Sequence, residues 1–148
     1  MDPRVREHAE LLVEWSARIE PGDDVVVSVA EGTHDLAVAV ADVLGEVGAN
    51  VVTVYASEEV ERAHRRAREA DFETPAHELA LYERADSVLL LKGGRNTFAT
   101  ADVDGETRKA AARALEPVRE ARLATDWVST VHPTRSLAQQ AGMAYEAY

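Results

Sequence analysis

The chain has 148 residues, enough for one domain with an ordinary core. Its formal net charge is -11, from 27 acidic against 16 basic residues, so nucleic acid is excluded as a natural partner because phosphate binding needs a basic face. There is no cysteine, which excludes disulfides, thiolate zinc sites and cysteine nucleophiles.

The first predicted element is a helix. Asp2 and Pro3 supply a cap residue and a proline at the first helical position, and Val5, Ala9, Leu12, Val13, Ser16 and Ile19 follow at helical spacing. Pro21-Gly22-Asp23 stops it. "DVVVSVA" (24–30) is a short β-branched run and predicts a buried strand. Gly32-Thr33 opens a second helix, with Thr33 as its cap, an apolar face of Leu36, Val40, Val43, Leu44 and Val47, and Gly48 in the left-handed terminating position.

"NVVTVYA" (50–56) is the second predicted strand. The third helix starts at Ser57-Glu58-Glu59, with acidic residues on its positive end. Its apolar stripe is narrow (Val60, Ala63, Ala67, Ala70), which places it on the outside. Thr74-Pro75 begins a fourth helix, "AHELALYERA", and "DSVLLLKGG" is a third strand ending in a glycine pair. A loop, "RNTFATADVDGE", leads to a long helix from about Glu106 to Leu123 that Pro117 is expected to kink or split. "DWVSTV" (126–131) is the fourth strand, and His132-Pro133-Thr134 turns the chain into a last short helix.

Strands alternate with helices, and every crossover is long enough for a parallel pair. Right-handed crossovers then give an α/β three-layer sandwich, a four-stranded mainly parallel sheet of order 2-1-3-4 with helices on both faces. No linker divides the chain, so residues 1–148 read as one α/β domain. Neither a run of about 18 apolar residues nor a signal-peptide core is present, and the protein reads as cytoplasmic, with no membrane partner. Only two lysines occur, Lys92 and Lys109, and acidic residues spread over every surface segment, the pattern of a halophilic protein.

Ligands of such sheets bind beyond the carboxyl ends of the strands. Two segments there carry chemistry. Glu31, His34 and Asp35 follow the first strand and are weak candidates for metal ligands; a solvated strand-to-helix turn is the plainer reading. Gly93, Gly94, Arg95 and Asn96 follow the third strand, where successive backbone N–H groups beside an arginine suit a small anion or a substrate edge; the plainer reading is a glycine turn. His8, His34, His64, His77 and His132 form no H-E-x-x-H spacing, and no dinucleotide, phosphate-loop or nucleophile-elbow glycine pattern occurs. No constellation amounts to a catalytic site by itself.

Three stretches resemble one family, the metal-dependent aminopeptidase T/aminopeptidase S group of thermophilic-type metalloaminopeptidases. They are "HAELLVEWSARIEPGDDVVV", "ADVDGETRKA" and the closing pattern of Trp127, Pro133, Thr134, Ala138, Gln139, Ala141, Gly142 and Met143. The chain departs from that family at His132, where a tyrosine is expected, and at Ala144, where a serine cap is expected. The resemblance implies the N-terminal domain of a longer two-domain, leucyl-type exopeptidase acting on peptides. It implies two divalent metal ions (zinc, cobalt, manganese or magnesium) on ligands in a downstream catalytic domain absent from this chain. The whole enzyme would be a homodimer, and these 148 residues alone would hold no cofactor and be inactive. The alternatives are a free-standing small-anion binding module and a dimerisation domain.

Overall fold

The structure is a computed structural model, and it describes residues 2–68 and 71–148. Four strands form one parallel sheet: β1 (Asp24–Ala30), β2 (Asn50–Ala56), β3 (Ser87–Lys92) and β4 (Asp126–Val131), in the order β2-β1-β3-β4. The predicted topology and the bounds of three of the four strands are those observed. Among the described residues six α-helices surround the sheet: α1 (Pro3–Glu10), α2 (His34–Val47), α3 (Glu58–Arg68), α4 (Ala76–Arg84), α5 (Gly105–Leu123) and α6 (Arg135–Gln140).

Alternation along the strands divides the core in two. Val25, Val27, Leu89 and Leu91 face α1 and α2, where they meet Ala9, Leu12, Val13, Leu36, Val40, Val43 and Leu44. Val26 and Val88 face the other way, onto Tyr82 of α4 and Val118 of α5. Complete burial of each such leucine or valine contributes about 1.5–3 kcal/mol.

The first helix departs from the simple 3.6-residue reading. After Glu10 the chain winds as a π-helix over Leu11–Ser16, with the Ala17 N–H donating to the Leu12 carbonyl at 2.9 Å. Along it Leu12 and Val13 are buried in the core, while Trp15 is turned to solvent at 73% exposure. Arg18, at φ 52°, then ends the winding. Asp2 caps α1 as predicted, accepting from the Arg4 N–H at 3.0 Å, and the Arg4 guanidinium beside it holds the Asp2 carboxyl down at about 2. Arg6 ties α1 to α2 by reaching Asp42 and Glu46.

Two helix expectations are corrected. Pro117 does not split α5, which runs unbroken from Gly105 to Leu123. Proline forfeits one N–H bond, but Ala111 and Val118 on either side are buried, and that packing outweighs the lost bond. Thr33 occupies the cap position of α2, yet its hydroxyl does not cap the helix. It donates backward to the Ala30 carbonyl at 2.8 Å, and the side chain is completely buried. Gly48 does end α2 in the left-handed conformation, at φ 86°.

α3 lies outside, as its composition predicts: it buries no residue, and Val60 is 64% exposed. Ala70 of its predicted stripe lies outside the described residues. Arg62 and Arg66 hold α3 to Asp102, in the loop before α5; the Arg62 Nε bond to Asp102 is 2.6 Å. Both partners shift to favour charge, the Asp102 carboxyl lowered and the Arg62 guanidinium raised by their mutual hydrogen bond.

Candidate functional site

The crevice beyond the carboxyl ends of β1, β3 and β4 is the place a parallel sheet offers for a ligand. Here three turns close on one another. Gly93 is the point of contact: a Cβ there would lie 2.7 Å from the Glu31 carbonyl oxygen, 2.7 Å from the Thr33 methyl and 3.3 Å from the Thr134 methyl. Only a hydrogen fits. Gly32, at φ 83°, meets the same Thr134 methyl from the other side, at 2.8 Å from its own would-be Cβ.

A chain of hydroxyls locks the junction. Ser136 donates to the Gly94 carbonyl at 2.6 Å, so its own oxygen is left to accept from the Thr134 hydroxyl at 3.0 Å. The Thr134 oxygen in turn accepts from the Leu137 N–H at 3.3 Å and caps α6. Thr134 is 6% exposed. The crevice is therefore filled by protein where an open sheet leaves room for a cofactor.

Each candidate residue takes a definite place around this plug. Gly93 and Gly94 belong to the junction. Arg95 is exposed, and Asn96 folds back so that its Oδ1 accepts from the Phe98 N–H at 3.0 Å. Arg95 and Asn96 line a cleft of about 370 Å³ together with Phe98, Ser136, Gln139 and Gln140. On the other flank, Glu31 accepts from the Tyr55 hydroxyl at 3.2 Å, while His34 and Asp35 stand in the first turn of α2. Among the described residues no three histidine, aspartate or glutamate side chains converge as a metal ion requires, so Glu31, His34 and Asp35 are not brought together. The donor set of these residues does not fit the implied pair of metal ions.

Sequence reasoning missed Ser136, Phe98 and Gln140 here, and assigned no site role to Thr134 or Gln139. Hydroxyls just past a strand end were the available sign, and the Gly94 carbonyl that Ser136 reaches lies 42 residues away in the chain.

His132, at the end of β4, is the one strongly placed titratable group nearby. Its Nδ1 is buried with no hydrogen-bond partner among the described residues. Burial, and secondarily His8, push its pKa below the ordinary 6.5, while Asp35 opposes the shift. The fold therefore favours neutral His132. That contribution is whole above pH 6.5 and is lost as pH falls from there through the lowered value, because the unfolded chain binds the proton first. His132→Gln should flatten the fall of melting temperature with pH in that window; an unchanged slope would assign it to other groups.

A doubly wound α/β domain with a plugged carboxyl edge is the class this geometry defines. The thermophilic metalloprotease (M29) family matches residues 1–148, and the chain belongs to that family. Among solved structures, wild-type AmpT from Thermus thermophilus is similar over 97% of this chain at 21% identity, with a TM-score of 0.79. The chain spans 40% of the length of AmpT, and at that identity the likeness is one of fold. The CurK enoyl reductase is matched over 94% of this chain and 45% of its own, at 14% identity and a TM-score of 0.38. No curated protein matches the chain.

Proposed function

We propose that these residues form the non-catalytic N-terminal domain of a metal-dependent aminopeptidase, a cytoplasmic, homodimeric enzyme that releases N-terminal residues from peptides. The domain packs against a following catalytic domain and helps wall the substrate chamber. The observation that carries this reading is the family match along all of residues 1–148 in a chain spanning only 40% of AmpT. The plugged crevice supports it, since a supporting domain needs a rigid edge rather than an open site. The two metal ions belong to ligands beyond these residues; metal-assisted hydrolysis needs several carboxylates or imidazoles converging from rigid elements.

The test is hydrolysis of an aminoacyl-p-nitroanilide with cobalt, zinc, manganese or magnesium. The 148-residue chain should show no turnover, and the chain extended through the coding sequence that follows should gain metal-dependent turnover. Turnover by the 148 residues alone, abolished by His34→Ala, would overturn the reading and make the turn after β1 the active site.

A second reading, a small-anion module, draws on the cleft beside Arg95, where a guanidinium and the Asn96, Gln139 and Gln140 amides share one surface. Saturable phosphate binding that Arg95→Ala abolishes would favour it.

A further inference from the structure

The spread of acidic residues expected over every surface segment breaks at one edge of the molecule. No acidic residue occurs between Asp86 and Asp102, or between Asp126 and Glu146, on a chain of net charge -11. The fold lays these two stretches side by side: β3 pairs with β4, and the Ser136 hydroxyl reaches the Gly94 carbonyl at 2.6 Å. Their charged side chains are all basic: Lys92, Arg95 and Arg135. A negative ligand, repelled by the rest of the surface, meets no carboxylate from either stretch here.

The cleft at this edge, about 370 Å³, lies at the small end of ligand pockets. Arg135 is turned onto the Tyr145 ring, 5.0 Å from its centroid, which leaves Arg95 as the guanidinium of the cleft. Arg95 makes no ion pair among the described residues. A guanidinium is planar and matches a carboxylate with two parallel N–H···O bonds. Asn96 adds to the donors: its Oδ1 is committed to the Phe98 N–H, so its amide is left with N–H groups to give.

Two features suit a peptide end better than a free inorganic anion. Gln139 and Gln140 line the same cleft, and a primary amide both donates and accepts, as a peptide group does. Phosphate, almost wholly an acceptor, leaves the glutamine carbonyl oxygens without a partner. Phe98 forms another wall and is 74% exposed, an apolar surface that an inorganic anion cannot cover and an apolar side chain can.

We propose that this cleft takes the carboxyl end of a peptide. Arg95 pairs with the terminal carboxylate, the glutamine amides hold the last peptide group, and Phe98 packs on an apolar final side chain. The substrate class rests on the peptidase reading: an exopeptidase working from the amino end leaves the carboxyl end intact and charged. On a domain that walls the substrate chamber, such a cleft favours short peptides, whose two ends fall within one chamber.

The test is a titration of the 148-residue chain with N-acetyl-alanyl-alanyl-leucine, followed by NMR chemical shifts. Binding should saturate with a Kd on the order of 1 mM. The same peptide with an amidated carboxyl end should bind about tenfold more weakly, and Arg95→Ala should erase that difference. Phe98→Ala should weaken the leucine-ended peptide and leave a glycine-ended one unchanged. Both side chains are exposed, so the melting temperature of each variant should match the wild type. Equal binding of acid and amide, binding indifferent to Arg95→Ala, or inorganic phosphate bound as tightly as the peptide would each overturn the proposal. Binding is read without turnover, so the two readings fail separately. Peptide bound by a chain whose extended form cannot hydrolyse the anilide would sink the peptidase reading; turnover by an extended form whose first domain ignores the carboxylate would sink this one.

Discussion

Replacing Gly93 by alanine is expected to destabilise the domain by about 2–3 kcal/mol and to lower its melting temperature by roughly 5–10 °C. The added methyl would sit 2.7 Å from both the Glu31 carbonyl oxygen and the Thr33 methyl, with Thr134 at 3.3 Å. None of these neighbours can yield cheaply. One is backbone at a strand end, and both threonines are buried and tied by their hydroxyls to backbone or to Ser136. Gly105→Ala is the matched control. It stands in the first turn of α5 with nothing within 4 Å, so alanine there should be neutral or stabilise slightly, by about 0.4–1 kcal/mol. Equal melting temperatures for the two variants, measured in one buffer, would show that the junction of the three turns is loose rather than close-packed.

Salt should raise the melting temperature of the wild-type protein by several degrees between low and molar potassium chloride. A net charge of -11 on 148 residues repels itself in the compact state, and the screening length shrinks from about 10 Å at 0.1 M to about 3 Å at 1 M. The exposed ion pairs lose a little over the same range, but each is worth at most about 1 kcal/mol in water. A flat or falling melting temperature would remove the case for halophilic adaptation.

The fold was legible because its signals are local. Four β-branched runs, long crossovers, Asp2-Pro3 and Gly48 each name their own structure without knowledge of what packs on them. The π-helix at Leu11–Ser16 was not legible, because the apolar spacing there fits an ordinary helix, and the packing that sets its winding comes from strands later in the chain. That α5 runs on through Pro117 without a split was not legible for the same reason: the cost of the proline is local, and the packing around it is not. The site was less readable still. The sequence drew attention to Gly93 and Gly94 as glycines of a turn, but the side chains that crowd Gly93 are Thr33 and Thr134, one on each side in the chain and 60 and 41 residues away. Glu31, His34 and Asp35 are neighbours in sequence, yet a turn followed by a helix sends such neighbours in different directions.

The attachment of α3 has its own dependence on the solvent. That helix buries no side chain and is fastened to the loop before α5 by Arg62 and Arg66 on a single exposed carboxylate, Asp102. Counterions compete for such a clasp, whereas they relieve the repulsion that strains the sheet and its inner helices. Rising ionic strength thus pulls the molecule two ways at once: the body tightens while its outermost helix is let go.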